Sequence, residues 1–119
     1  MLVEDLLDPA RVPCLATLLG RADPPTAVVA FNDRCATGVL DTLLHRCRSV
    51  PADFSVVGYD DSRLARTANV QLTTVSQDAG LLADTAIEGA ITLISVGDPC
   101  ETVLVPELAR HATTGPAAT

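Results

Sequence analysis

Lysine and tryptophan are absent from this 119-residue chain, and aromatic side chains of any kind make up only 3% of it. Its core must therefore be built from Leu, Val, Ile and Ala, which supply most of a 48% hydrophobic content typical of globular chains. Basic residues are few and scattered: eight, against 15 acidic ones, for a formal net charge of −7. Without a clustered basic face there is nothing to neutralise phosphates, which excludes direct DNA contact by this chain. No run approaches the roughly 18 consecutive apolar residues of a membrane span. Met1-Leu2-Val3 leads at once into Glu4, Asp5 and Asp8, with none of the basic residues that open a secretory signal, so a cytoplasmic protein is expected. Cys14, Cys35, Cys47 and Cys100 form no CxxC pair and have no His at metal spacing; free, mostly buried thiols are expected, with no metal and no cofactor. There is no Gly-rich phosphate loop and no G-x-S-x-G elbow, and His45 and His111 lack a nucleophile partner. An enzyme is not expected.

What is present is a repeated hand-over from apolar run to polar group. Ser55-Val56-Val57-Gly58-Tyr59 reads as a buried strand, flanked by Pro51 and by the exit Asp60-Asp61. Thr26 to Phe31 runs in the same way into Asn32-Asp33, and Leu72 to Ser76 into Gln77-Asp78. In an open parallel α/β sheet, ligands bind outside the carboxyl ends of the strands, where these groups would converge.

In chain order, Leu2 to Leu7 is a short apolar and acidic segment, and Val12 to Leu19 is a helix stopped by Gly20. Asp23-Pro24-Pro25 is a linker, because neither proline can continue a helix or donate to a sheet. After the first strand, Ala36, Leu40, Leu43 and Cys47 recur at helical spacing, with Val39 and Leu44 widening the stripe. Asp33 is expected to cap that helix while Asn32 faces the cleft. His45, at its end, is expected to be exposed. The return through Val50-Pro51-Ala52-Asp53 completes a βαβ unit. Ser62 to Ala68 has room for one or two helical turns. Asp78 caps the longest helix, which Gly97-Asp98-Pro99 ends. Its polar residues Asp84, Glu88, Thr92 and Ser95 share one stripe, leaving an apolar arc too wide for an ordinary surface helix, so most of it must be covered. Thr102 to Pro106 and Leu108 to Thr114 are expected to form a final strand pair or bent strand, followed by a frayed end from Gly115.

Four stretches, in order and in register, resemble the C-terminal part of the LacI/GalR family of bacterial transcription regulators: Pro25 to Asp33 (PTAVVAFND), Val50 to Asp61 (VPADFSVVGYDD), Leu72 to Asp78 (LTTVSQD) and Val103 to Arg110 (VLVPELAR). The resemblance implies one lobe of a two-lobed, periplasmic-binding-protein-like sensor that holds a sugar or nucleoside effector between its lobes. It also implies that Asn32, Asp60 and Gln77 hydrogen-bond the hydroxyls of that effector. Their chemistry agrees, since a carboxylate accepts two hydroxyl hydrogens and each amide offers a donor and an acceptor. Asp61, next along an extended segment, is expected to point elsewhere.

The expected architecture is thus an α/β, parallel-sheet half of that sensor fold. Residues 1 to 25 are an N-terminal helical segment and linker, 26 to 115 the C-terminal lobe, and 116 to 119 a disordered tail. Departures from the family are the missing helix-turn-helix, hinge helix and amino-terminal lobe, the strand expected to open the C-terminal lobe, and His111 in place of glycine. In the family the helix after Gln77 packs on the other lobe, so a homodimer is expected, through Asp78 to Val96 or through the surface of Arg34, Thr37 and Leu64 to Ala68. The competing readings are a sugar-binding module of a transport system and an interaction-only relic that pairs with a full-length regulator.

Overall fold

The computed structural model describes residues 2–3, 12–98 and 101–117, without the side chains of 2–3 and 12–14. The chain forms one sheet whose strands lie side by side in sequence order: β1 (Leu2–Val3), β2 (Ala27–Ala30), β3 (Ser55–Tyr59), β4 (Thr73–Ser76) and β5 (Glu107–Ala109). The first four are parallel and β5 closes the edge antiparallel to β4, with Val75 opposite Leu108. The fold is the parallel-dominated α/β lobe expected from the sequence, with one antiparallel strand at its margin.

Leu2–Val3 corrects the expectation that the lobe lacks its opening strand: Leu2 pairs with Val29 and Val3 with Ala30. Two residues are too few to carry a readable alternation, so their pairing is decided by β2 alongside them. The remainder of the acidic segment, with Glu4, Asp5 and Asp8, lies outside the described residues, as do Cys100 and the last two residues of the expected tail.

The core forms where β2 and β3 meet two helices, α1 (Val12–Leu19) and α2 (Asp33–His45). Alternation turns Val28 and Ala30 of β2 and Val56 of β3 to the same interior, where Leu15, Cys35, Ala36, Val39 and Leu43 close over them. The helical stripe is narrower than its sequence suggests. Leu44 is 72% exposed, and Cys47 lies past the helix end, exposed, against the expectation of mostly buried thiols. His45 is exposed and contacts the Asp41 carbonyl at 2.8 Å.

Between β3 and β4 the chain makes hydrogen-bonded turns rather than the helical turns expected from Ser62 to Ala68, with Ala65 fully buried beneath them. The carboxy-terminal stretch also departs from expectation. Residues 101–106 run outside the sheet, and only Glu107–Ala109 pair. Beyond them the chain is pinned where β3 and β4 begin. Thr113 Oγ1 donates to the Val56 carbonyl at 2.7 Å and accepts from Thr73 N–H at 2.9 Å, while Gly115 N–H donates to Ser55 Oγ at 3.2 Å. Gly115 is therefore anchored, not frayed.

Helix α3 (Ala79–Val96) starts and stops where its punctuation demands. Asp78 Oδ1 accepts from Leu81 N–H at 3.1 Å, and Gly97 takes the left-handed conformation after the last turn. Yet none of its 18 residues is buried. Ile87, Ile91, Ile94 and Val96 are all more than half exposed. The apolar arc that demands cover is bare, and the radius of gyration of 18.0 Å exceeds the roughly 13.5 Å of a compact chain this long. By length and a mean hydropathy of 1.5, α3 could cross a membrane. However, Asp84 and Glu88 sit at its middle, where a buried acid costs about 2.5–3.5 kcal/mol in a bilayer.

Candidate functional site

All three strand-end groups lie at the carboxyl edge of the parallel strands: Asn32 two residues after β2, Asp60 directly after β3, and Gln77 directly after β4. Gln77 Nε2 donates to Asp60 Oδ1 at 3.4 Å, a long contact that brings two of the three together. Both are exposed. Asp60 keeps Oδ2 as an acceptor and Gln77 its amide oxygen, which between them suit a hydroxyl-rich ligand. Gln77, though not Asp60, also borders a groove of about 550 Å³, where it and Tyr59 face Leu82, Ala86 and Leu93 of α3 and Leu104.

The cap expected of Asp33 falls to Asn32. Asn32 is the cap of α2: its backbone is extended (φ −152°) and its Oδ1 accepts from Cys35 N–H at 2.8 Å. That leaves the Asn32 amide NH₂, two donors on a half-buried side chain, for a ligand. Asp33 is the first residue inside the helix and is 1% exposed. The cap goes to the residue whose backbone is still extended, and Asp33, one step later, is carried round into the sheet.

There its carboxylate is shared between two elements. Oδ2 accepts from Ser62 N–H at 2.6 Å, and Oδ1 accepts from Thr74 Oγ1 of β4 at 2.5 Å. Thr74, itself fully buried, accepts in turn from Asp61 N–H at 3.3 Å. Gly58 leaves the space: a Cβ there would overlap Asp33 Oδ1 and come within 2.7 Å of Leu72 Cδ2. The glycine inside β3 thus marks a close approach, the usual meaning of glycine in a strand interior.

The two residues this network embraces have unusual backbones. Asp60 (φ 106°) and Asp61 (φ 50°) are successive non-glycine residues at positive φ, each a placement that costs of order 1–3 kcal/mol and persists only when its surroundings hold it. Asp60 N–H is tied to the Val75 carbonyl at 2.9 Å, Asp61 N–H to Thr74, and Ser62 N–H to Asp33, so three consecutive amides are fixed. The turn aims the neighbouring carboxylates apart. Asp61 turns to Arg66, which donates from Nε at 3.0 Å and Nη2 at 2.5 Å. That hydrogen-bonded guanidinium holds the Asp61 carboxyl below its ordinary value. The Asp60 carboxyl is pushed up by burial and by the Asp33 charge, with the Gln77 hydrogen bond opposing.

Sequence reasoning placed Asp60 and Gln77 together and sent Asp61 elsewhere, but it missed Asp33, Thr74 and Ser62. The available signal was Gly58, whose place inside a strand behind two valines announces that something approaches the backbone. Among the described residues, no group of three or more His, Cys, Asp or Glu is placed to hold a metal ion.

A family model described as a periplasmic binding protein-like domain matches residues 5–114. Among solved structures, the chain is 60% identical to a LacI transcriptional regulator from a Rhodococcus species, covering 91% of this chain and 40% of that one with a TM-score of 0.84. It is 28% identical to a LacI family regulator from Enterococcus faecium with bound ribose, covering 88% and 39% of the two chains, with a TM-score of 0.77. The HTH-type transcriptional repressor PurR of Mannheimia succiniciproducens is 38% identical over 74 residues, 62% of this chain and 22% of the repressor. The chain thus spans 22% of that repressor's length and 40% of the Rhodococcus structure.

Proposed function

Because the chain belongs to the LacI-type, periplasmic-binding-protein-like family of transcriptional regulators, matching their effector-binding domain, we propose that it is an effector-sensing lobe for a sugar or nucleoside. The ligand's hydroxyls are held by Asn32, Asp60 and Gln77. The observation that carries this reading is the Asp60–Gln77 pair at the carboxyl edge of the sheet, turned to solvent while Asp33, Thr74 and the Asp61 and Ser62 amides beside it are engaged in the fold. Asp60 accepts from two hydroxyls, the Asn32 NH₂ donates, and Gln77 does either, the complement of a polyol edge. The ribose held by the Enterococcus relative belongs to the same ligand class. The lobe works in the cytoplasm, reports on its ligand and makes no DNA contact of its own, in keeping with a net charge of −7.

The bare α3 supports a partner as well as a ligand. Two copies bury its apolar arc against each other, and the groove beside Gln77 and Tyr59 then becomes a closed composite cleft. The surface of Arg34, Thr37 and Leu64 to Ala68 is the other contact available: Arg34 is exposed and Leu64 is 38% exposed, while Ala65 is buried and contributes nothing.

The test is an amide-resolved NMR titration with D-ribose and a panel of other sugars and nucleosides. Shifts centred on Asn32, Asp60 and Gln77, lost in Asp60→Asn, are the expected result. A panel that leaves all three unmoved refutes effector binding by this chain.

A further inference from the structure

We propose that Asp33 is the positioning residue of this site: its buried carboxylate joins the three ligand-bearing arms and holds the Asp60–Asp61 turn in the only backbone shape that points Asp60 at the ligand. The inference rests on the proposed effector reading for its consequence, but on the geometry alone for its substance.

Asp33 follows Asn32 in the chain, so its position fixes the first arm through the start of α2. Its Oδ2 takes the Ser62 amide and so anchors the far side of the second arm. Its Oδ1 takes the Thr74 hydroxyl, on the strand that leads three residues later to Gln77 of the third arm. Thr74 passes the constraint on to the Asp61 amide. Accepting on both oxygens from donors on two different elements is a carboxylate's task. In Asn the oxygen can keep the Ser62 N–H, but the NH₂ then faces the Thr74 hydroxyl, which must turn its own proton away to accept, and the charge that strengthened both bonds is gone.

The backbone supports the same reading. Asp60 and Asp61 both lie at positive φ, where an L-residue stays only under constraint. The constraints on the turn are the Asp60, Asp61 and Ser62 amides, and the last two lead back to Asp33. Release of that carboxylate lets Asp60 and Asp61 relax to negative φ, which reorients the Asp60 side chain away from Gln77. Gly58 completes the device, since any side chain there occupies the place of Asp33 Oδ1. Asp33 also acts on Asp60 through space, adding to the effect of burial on its carboxyl.

The test uses the isotope-labelled full chain without ligand, and then with D-ribose as the probe. In Asp33→Asn the Asp61 and Ser62 amides shift and exchange with solvent at least about tenfold faster, as expected when a charge-assisted hydrogen bond is lost. The Asp60 carboxyl titrates at lower pH than in the parent, the direction expected once the Asp33 charge is gone. If Asp33→Asn does not fold, Thr74→Val set against Thr74→Ser takes its place: the valine disturbs the Asp61 amide and the serine, which keeps the hydroxyl, restores it. A folded Asp33→Asn with both amides unmoved overturns the proposal, as does a Thr74→Val indistinguishable from Thr74→Ser. Ribose binding in the parent and its loss in Asp33→Asn extends the result to function. Absence of ribose binding in the parent bears on the choice of effector and leaves the amide result to decide the role of Asp33.

Discussion

Replacing Gly58 with alanine adds one methyl group where there is no room for it. The new Cβ overlaps Asp33 Oδ1, lies 2.7 Å from Leu72 Cδ2 and 3.2 Å from the Asp33 Cα. The last is backbone, and Leu72 is fully buried, so neither can step aside cheaply. Forcing a methyl into a filled interior costs about 1–3 kcal/mol. Displacing the Asp33 carboxylate weakens its bonds to Ser62 and Thr74, worth about 1.5–3 kcal/mol when one partner is charged. Against this, alanine in a strand gains about 0.5–1 kcal/mol over glycine in backbone entropy. The balance is a destabilisation of about 2–5 kcal/mol, or a fall in Tm of roughly 8–20 °C at about 4 °C per kcal/mol. Thermal unfolding followed by circular dichroism reads it, with Gly89→Ala as the control. That Cβ meets nothing within 4 Å, and the change should stabilise α3 by about 0.5–1 kcal/mol. A Gly58→Ala protein melting within about 2 °C of the parent would refute the argument that Asp33 and Gly58 share one space.

Two further outcomes follow from the exposed helix and the Asp61 ion pair. Ile91→Asp places a charge on the bare face of α3, where Ile91 is 58% exposed; light scattering at several concentrations should show a dimer in the parent and a monomer in the variant, and unchanged mass in both would exclude association through this helix. Asp61→Asn should lower stability at neutral pH by no more than about 1 kcal/mol, because Arg66 is largely solvent-exposed. Since the folded Asp61 carboxyl lies below its ordinary value of 3.8, its contribution is fully present above that pH and is lost as the pH falls through the folded value. The gap between parent and variant in urea titrations should therefore close in acid, and a gap that widens there would contradict the ion-pair account.

Much of this protein is legible in one dimension because the relevant physics is local. The three polar strand exits and the helix bounded by Asp78 and Gly97 follow from apolar runs, capping chemistry and glycine, all of which act within a few residues. So did the family resemblance, carried by four stretches in register. Other features depended on neighbours distant in sequence. Which of Asn32 and Asp33 caps α2 was settled by Ser62 and Thr74, 29 and 41 residues on, which draw Asp33 inward and leave the cap to Asn32. Leu2–Val3 became a strand because β2 offered an edge, and Gly115 was anchored by Ser55. The width of the apolar arc on α3 led to the expectation that most of it is covered. Whether the fold itself covers it is a question of where the helix axis points, and only the tertiary structure, which carries α3 clear of the sheet, decided that it does not.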